Sequence, residues 1–549
     1  MQREPKRPTL VNASHFYRVA LNPQCTAYNS SPNEVISIAS FEEGLNPACY
    51  RAVFHPFAQA VENEATGECI LVRDHLGLRP LYYRYQSGQL IFGDTIPDIV
   101  HQLPSAPALL DSEVSHLFGD VHHYTDNTLY TGIHRVEPGH MVRIFPNGRI
   151  IKSAFWQLEQ EGDTLHYRDE REYLEHFTSL MQESVNNATK DSQSIAAEFS
   201  AGMDSTAVYG ACAQLGLNPP LFMHAALPNS TNAQTYNDRY ERAFMEQFPS
   251  ATIHRHMADD FDAIRVFKDY AAWFGGPSPY IFDVFAHNIH KAVSKQGHTI
   301  LLSGFGGDQG VSSHIPARFI LPSLINSKQF CQAWTESAAS ANTLRRLAQL
   351  IQCTHPSLHK LIQHAQDLKL DFSNTFRAPD QQRAASTHPY HRHYFKTLRE
   401  VEWSFLQGPN SHEVRMRIEY SSIVAKKMGF DYRYPLLHPK LLEFFLSLPL
   451  EQKRHQGIGR HLMRRYLAQI MPTASFNTYK KKEGLNIMPA TLDAFKTQQD
   501  SGFFHNEFQL LPKALTYDKS PHKTMIKTIQ AYMLNERFNQ TYLHDRRQG

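Results

Sequence analysis

Between residues 194 and 304, short apolar segments alternate with segments of helical periodicity, and this alternation limits the possible folds more than any other feature of the sequence. The apolar segments are SIAAEFS (194–200), PPLFMHAAL (219–227), ATIHRHM (251–257) and HTILLSG (298–304). Apolar strands that alternate with helices are typical of a doubly wound parallel sheet. Because such sheets bind ligands outside the carboxyl ends of their strands, functional residues are expected in the loops that follow these segments.

The first part of the chain has a different pattern, in which short strands are joined by turns. GECILVRD (67–74) is typical of a strand, and LYYRYQSGQLIFGD (81–94) predicts a hairpin that turns at Ser87-Gly88. A second hairpin is predicted in MVRIFPNGRIIKS (141–153), where Asn-Gly favours the turn. Residues 1–158 are therefore predicted to form a mostly β domain.

After Trp156 the helical pattern begins, and residues 159–549 are predicted to form the second domain. Residues 313–412 are rich in Gln, Ser, Ala and His, which favours a variable helical insertion. From Glu413 helices resume as far as about Met471, followed by a lysine-rich loop and a polar tail. The chain therefore combines an α+β N-terminal domain with an α/β doubly wound sheet and a helical C-terminal region.

Composition excludes several classes of function. The 55 basic and 53 acidic residues leave a formal charge of +2, whereas nucleic-acid binders usually carry a basic excess or stripe. The mean hydropathy is −0.44, and no apolar run approaches the roughly 20 residues that span a bilayer. The first ten residues lead into no apolar segment typical of a signal peptide. A soluble cytoplasmic protein without nucleic-acid or membrane partners is expected.

The loop after the first apolar segment has the residues of a phosphate site. Small residues let the backbone approach a phosphate, and the following helix offers free N–H groups at its positive end. Two hydroxyls and a carboxylate add phosphate donors and a magnesium ligand. The loop consists of Ser200, Ala201, Gly202, Met203, Asp204 and Ser205. A tight turn with Asp204 as helix cap is the simpler interpretation.

The loop after the last apolar segment is similar in kind. It consists of Ser303, Gly304, Phe305, Gly306, Gly307 and Asp308. Its three glycines indicate an open backbone, although a flexible loop explains them equally well. If both loops lie at one edge of the sheet, Asp204 and Asp308 are placed to share one divalent cation on bridging phosphates.

Five motifs in this order resemble the asparagine synthetase superfamily. SAGMDS is similar to the pyrophosphate loop S-G-G-x-D-S, and SGFGGDQ resembles S-G-x-G-[GS]-D-E. Further along, GFDYRYPLLHPKLLEFFLSLP (429–449), QKRHQGIGRHLMRRYLAQIMP (452–472) and KEGLNIMP (482–489) resemble the remaining family motifs in the expected order. The resemblance implies ATP and Mg²⁺ as cofactors, with both loops holding the nucleotide and Asp204 and Asp308 holding the metal.

The N-terminal domain resembles class II glutamine amidotransferases, which fold as a β-sandwich. RDHLGLRPLYY (73–83), GIHRVEPGHMV (132–142) and FWQL (155–158) carry the likeness. In that family an N-terminal cysteine is the nucleophile and its α-amine the base. Here Met1 is followed by Gln2, so the expectation is a degenerate domain that does not hydrolyse glutamine.

Within the superfamily, loss of this cysteine marks lasso peptide cyclases and β-lactam synthetases. In the latter, the second motif carries a tyrosine that works with a glutamate, whereas this chain has Phe305. The resemblance therefore favours a lasso cyclase, whose partners are a precursor peptide, a leader peptidase and a leader-binding protein. The alternatives are a small-molecule amide ligase, a β-lactam synthetase-like or ammonia-dependent asparagine synthetase-like enzyme, and an inactive binding scaffold.

Two further residues are catalytic candidates. Lys482 matches the family's lysine loop by its register to Gly484 and Pro489, and would stabilise the charge that develops as the amine attacks. Lys480 and Lys481 are its close competitors, and a solvated lysine run is the simpler explanation. Glu419 would accept the amine proton, or else is an exposed helix residue.

Overall fold

The structure is a computed structural model that describes residues 9–472 with gaps. The described ranges are 9–13, 16–22, 25–30, 38–118, 124–224, 240–256, 262–277, 282–313, 317–337, 395–455 and 458–472, together with residues 343, 347, 350, 351 and 357.

The N-terminal part is built from ten described strands in two sheets. They are β1 (Thr9–Asn12), β2 (Tyr17–Asn22), β3 (Cys25–Asn29), β4 (Ala58–Asn63), β5 (Glu68–Arg73), β6 (Tyr82–Gln86), β7 (Gln89–Gly93), β8 (His134–Arg135), β9 (His140–Ile144) and β10 (Ile150–Ala154). The sheet orders are β1-β7-β6-β8 and β10-β9-β5-β4-β3-β2. The predicted hairpins are confirmed as β6–β7 and β9–β10. The first turns at Ser87-Gly88, where both residues have positive φ.

An apolar core lies between these two sheets. Ala60, Leu71 and Val142 contribute from the larger sheet, and Tyr83 and Phe92 from the smaller one. Each of these residues belongs to a strand in which alternate side chains face the other sheet. Short helices complete this part of the chain. They are Phe41–Gly44, Ala48–Arg51, Ile96–Val100 and Asp111–Phe118.

A five-stranded parallel sheet forms the centre of the second part. Its strands are β11 (Ile195–Glu198), β12 (Leu221–His224), β13 (Ile253–His256), β14 (Ile300–Leu302) and β15 (Asp431–Arg433). The order is β13-β12-β11-β14-β15, and every neighbouring pair is parallel. The chain runs from β11 to β13 in one direction and then crosses to β14 on the other side of β11. The switch point of this topology therefore lies between β11 and β14, where such sheets bind ligands.

Helices cover both faces of the parallel sheet. The apolar residues of the sheet belong to two clusters, one on each face. Leu302 packs with residues of helices Glu170–Thr189 and Met203–Gln214. Leu301 packs with residues of helix His412–Met428. The remaining helices are Ala263–Phe274, Phe282–Phe285, His287–Lys295, Ala317–Asn326, Phe330–Glu336, Leu398–Leu406, Pro439–Ser447, Leu450–Lys453 and His461–Ile470, with residues 240–247 also helical.

Two smaller features complete the described fold. A 3₁₀ turn occupies Pro435–Leu437, and a short hairpin is formed by β16 (Arg454–His455) and β17 (Ile458–Gly459). The described parts of the predicted insertion at 313–412 are mainly helical. None of the described helices has both the length and the apolar character needed to cross a membrane.

Candidate active site

The two glycine-containing loops predicted from the sequence meet at the switch point of the parallel sheet. One follows β11 and the other follows β14, and these strands are neighbours. A Cβ placed on Gly304 would lie 2.7 Å from the backbone nitrogen of Ser205. A Cβ on Gly307 would overlap the carboxyl group of Asp204. Because only glycine permits this approach, the two loops form one continuous surface.

The first loop presents an uncapped helix terminus. Gly202 is the N-cap of helix Met203–Gln214 and has no side chain to satisfy the first N–H groups. Ala201 has a φ of 52°, in the left-handed region that favours glycine, and its side chain is buried. The helix therefore begins with backbone N–H groups that no side chain caps, as at the helix termini that bind anions.

The remaining residues of the first loop keep this turn in place. The hydroxyl of Ser205 donates to the carbonyl of Gly202 at 3.3 Å and lies 3.3 Å from the hydroxyl of Ser200. Met203 is buried in the core beneath the loop. The small donors predicted to cradle a phosphate therefore lie together, while Met203 anchors the helix.

The second loop is shaped by close packing of its glycines and by its first serine. Gly306 has a φ of 94°, and a Cβ there would overlap the side chain of Leu437. The backbone N–H of Phe305 donates to the hydroxyl oxygen of Ser303 at 3.2 Å. The Phe305 ring packs edge-on against Tyr434, with 6.0 Å between centroids. The loop is thus held from both sides, and Asp308 at its end reaches Arg460.

Arg460 joins the two aspartates. Its guanidinium forms an ion pair with Asp308 and lies 3.7 Å from the carboxylate of Asp204. The residue precedes helix His461–Ile470 with a φ of 64°, a backbone conformation that non-glycine residues adopt at a cost of about 1–3 kcal/mol. The two carboxylates predicted to hold a metal are therefore close enough to share one cation.

This donor set fits magnesium bound together with a nucleotide. Mg²⁺ is usually held by one or two carboxylates and completes its coordination with water and substrate phosphates. The parts of the chain that the structure describes contain no group of three or more His, Cys, Asp and Glu side chains placed to hold a metal alone. Asp204 and Asp308 supply two carboxylates, and the adjoining helix terminus supplies the phosphate contacts.

Glu419 lies in a different environment from these loops. Its carboxylate is fully buried, 3.0 Å from Nη1 of Arg73 and 3.3 Å from Nε of Arg135. The hydroxyls of Tyr82 and Tyr124 also donate to it. Burial alone would raise its pKa, but the charges of Arg135 and Arg73 and the hydrogen bonds from the two tyrosines together outweigh burial and lower the pKa to about 2.

This environment does not suit the proton-accepting role that sequence reasoning gave to Glu419. A carboxylate with so low a pKa is a weak base. Arg417, two residues earlier on the same helix, points toward Phe305, so Glu419 projects about 200° away from that loop. The structure instead places Glu419 where it joins the helix to the N-terminal part. Arg79 makes a second such link, with both carboxylate oxygens of Asp431 at 2.5 and 2.7 Å.

Sequence reasoning missed a group of polar residues beside the second loop. Glu198, Arg417 and Tyr432 lie together there, with the Tyr432 hydroxyl 2.5 Å from Glu198 and Arg417 3.7 Å from it. One signal was present in the sequence, since Glu198 interrupts the otherwise apolar segment SIAAEFS. The predicted Lys482, with its competitors Lys480 and Lys481, lies outside the described residues.

Two protein-family models together match nearly the whole described chain. Residues 176–500 match the model described as asparagine synthase, and residues 12–156 match the model described as glutamine amidotransferase domain. The first of these matches contains both loops and Arg460.

Individual relatives are more distant. Amidase chyE of Penicillium rubens is 26% identical over 259 residues, which cover 44% of this chain and 37% of that protein. Amidase chry2 of Gibberella zeae is 24% identical over 267 residues, which cover 46% of this chain and 39% of that protein. The glutamine-hydrolyzing asparagine synthetase 3 of Bacillus subtilis is 28% identical over 154 residues, covering 28% and 24%. The chain thus aligns with less than half the length of each of these relatives.

Because the asparagine synthase model matches more than half of the chain, the protein belongs to the asparagine synthase family and carries a glutamine amidotransferase-type domain before the synthetase part.

Proposed function

We propose that this protein is an ATP-dependent macrolactam synthetase of the lasso peptide cyclase type. It activates an Asp or Glu side-chain carboxylate of a precursor peptide as an acyl-adenylate, with release of pyrophosphate. The N-terminal amine of the same peptide then forms the amide bond and releases AMP. The observation that carries the proposal is the joined surface of the two loops, with Asp204 and Asp308 around Arg460 at the switch point.

The residues of this surface have distinct tasks in the activation step. The N–H groups at the start of helix Met203–Gln214 and the hydroxyls of Ser200 and Ser205 bind the pyrophosphate portion of ATP. Asp204 and Asp308 would hold Mg²⁺, which supplies charge neutralisation on the phosphates. Arg460, already between the carboxylates, provides a second positive charge for the departing pyrophosphate.

Phe305 favours a peptide cyclase over a β-lactam synthetase. Its ring has no proton to exchange, and in the structure it packs against Tyr434 and the guanidinium of Arg417. A small-molecule amide ligase is the second candidate, and the two fungal relatives named amidases are consistent with amide chemistry on a substrate other than a peptide. The two candidates differ in whether the amine and the carboxylate belong to one molecule.

The test is incubation of the full chain with ATP, Mg²⁺ and a synthetic core peptide that carries an Asp or Glu near its N-terminus. Such a peptide is best chosen from a short open reading frame beside the gene. We expect AMP, pyrophosphate and a product lighter than the peptide by one water, measured by mass spectrometry. An N-acetylated peptide is the matched control, because it can be adenylated but not cyclised. Amide formation only with an added free amine would support the small-molecule ligase instead.

The lysine loop separates activation from bond formation. Lys482→Ala is expected to retain carboxylate-dependent exchange of pyrophosphate into ATP but to lower amide formation by about 10²–10³-fold, since one electrostatic contact to the transition state is removed. Lys480→Ala and Lys481→Ala are the matched controls and should have much smaller effects, because only Lys482 is in register with Gly484 and Pro489. If one of these controls proves the sensitive position, the register through Gly484 and Pro489 is incorrect.

A further inference from the structure

Glu198 is a charged residue at the end of the central strand of a parallel sheet. It is the last residue of β11, beside the end of β14, at the switch point where the two loops meet. Its side chain is 17% exposed, whereas its neighbours Ala196 and Ala197 are buried. Charged side chains are rare in such strands unless they have a specific partner or task. Glu198 therefore combines fixed surroundings with partial exposure at the carboxyl end of the sheet, where sheets of this type bind ligands in the crevice at the switch point.

Hydrogen bonds from two elements orient the Glu198 carboxylate. The hydroxyl of Ser303 donates to Oε2 at 2.5 Å, and the hydroxyl of Tyr432 donates to Oε1 at 2.5 Å. Ser303 in turn accepts from the backbone N–H of Phe305, so the second loop itself positions the carboxylate. Each carboxylate oxygen has two lone pairs. Among the described residues, these two bonds occupy one lone pair on each oxygen, and Arg417 lies 3.7 Å from Oε1, so that Oε2 keeps a second lone pair for another donor.

Tyr432 donates because its own surroundings keep it protonated. Burial, followed by the charge of Glu198, raises the pKa of Tyr432 well above its usual value. Nε2 of His290 lies 2.8 Å from the same hydroxyl oxygen. Burial lowers the pKa of His290 far below its usual value, so the ring is neutral. Since the Tyr432 proton points to Glu198, His290 donates to Tyr432, and the whole chain of hydrogen bonds is directed toward the carboxylate.

Arg417 interacts with two carboxylates that differ in their exposure to solvent. Its guanidinium lies 3.7 Å from Glu198 and 5.4 Å from the ring centroids of both Phe305 and Tyr432. The second carboxylate is that of Asp283, which is 1% exposed and accepts from Ser421. Burial raises the pKa of Asp283 to about 6 although Arg417 opposes this. Of the two carboxylates, that of Glu198 is the more exposed to solvent.

We propose that Glu198 accepts the proton of the attacking amine, with Tyr432 as its positioning residue. The amine lone pair forms the C–N bond at the carbonyl carbon of the acyl-adenylate. The N–H bond breaks, and its proton passes to the Glu198 carboxylate. The tetrahedral intermediate then collapses, the bond from carbon to the AMP oxygen breaks, and AMP leaves with the electron pair. This inference rests on the proposed function. It assigns to Glu198 the proton-accepting role for which Glu419 is unsuited, because Glu419 faces away from the second loop.

The test compares three products of one enzyme preparation. These are labelled ATP from pyrophosphate exchange, the amide from the native amine, and the hydroxamate formed when hydroxylamine replaces the amine. Hydroxylamine is unprotonated at neutral pH and needs little help from a base. Glu198→Gln is expected to keep exchange and hydroxamate formation within a few-fold of wild type and to lower amide formation by about 10²–10⁴-fold. Tyr432→Phe should lower the same product by less, and Glu198→Asp should recover part of the amide.

Matched variants separate catalysis from structure. Asp191→Asn removes a carboxylate that is 40% exposed and pairs with Arg433 at 3.1 Å, and it is expected to leave amide formation close to wild type. Lys482→Ala should lose amide and hydroxamate together, since it acts on the charge of the intermediate. Unchanged amide formation in Glu198→Gln, or a parallel loss of all three products, would overturn the inference. If wild type releases no pyrophosphate with any carboxylate and amine, the proposed function fails, and with it this inference.

Discussion

Asp204→Asn and Asp308→Asn are each expected to lower substrate-dependent pyrophosphate release by at least about 10²–10³-fold. Each substitution removes a charged ligand for the metal and leaves Arg460 with one carboxylate instead of two. Groups that act as one unit are not additive, so the double variant should lose little more activity than either single variant. The measurement is pyrophosphate release with saturating ATP and magnesium.

A carboxylate outside the loops provides the control. Asp191 also pairs with an arginine, at 3.1 Å from Arg433, and its side chain is 40% exposed. Asp191→Asn should therefore leave pyrophosphate release within a few-fold of wild type. Mild, additive losses at Asp204 and Asp308 would mean that the two residues serve only to cap the helix and fix the second loop. Unfolding curves of the three single variants should stay close to that of wild type, because Arg460 keeps at least one carboxylate in each of them.

Glu419→Ala is expected to destabilise the protein by about 3–5 kcal/mol, the usual range when one partner of a buried ion pair is removed. Arg73 and Arg135 would remain buried without their shared counter-ion. The measurement is urea unfolding followed by tryptophan fluorescence. Glu183→Ala is the matched control, because its partner Lys440 lies on another helix and both side chains are more than a third exposed. An exposed pair of this kind contributes about 0–1 kcal/mol.

The lowered pKa of Glu419 also predicts how the free energy of unfolding depends on pH. Its pKa is lowered from 4.5 to about 2 in the folded protein. A group with a lowered pKa contributes its full stability above the unfolded value, and this contribution is lost as the pH falls from about 4.5 toward about 2. Glu419→Ala should therefore flatten the pH dependence of unfolding in this window. If Glu419→Ala is as stable as wild type and has lost only amide formation, Glu419 and not Glu198 accepts the proton.

The sequence was most informative where structure depends on local pattern. Alternating apolar segments predicted the strands, and strand-end glycines predicted the two loops, since both follow from neighbouring residues. The contacts that determine the role of each acid are not local. Glu198 meets a tyrosine 234 positions away, and Glu419 meets Tyr82 337 positions away. No periodicity reports such pairs, so the sequence indicated neither the ion pairs around Glu419 nor the hydrogen bonds around Glu198.

The link between Arg73 and Glu419 also has a consequence for biosynthesis. The two residues are 346 positions apart. At about 5–20 residues per second, the ribosome needs roughly 20–70 s to make the intervening chain. During that interval the N-terminal sheets can form, because the other partners of Arg73, the carbonyls of Gly77 and Val136, belong to the part of the chain already made. The surface that will receive Glu419 stays open to solvent, so a nascent chain exposes it to chaperones and proteases until helix His412–Met428 emerges.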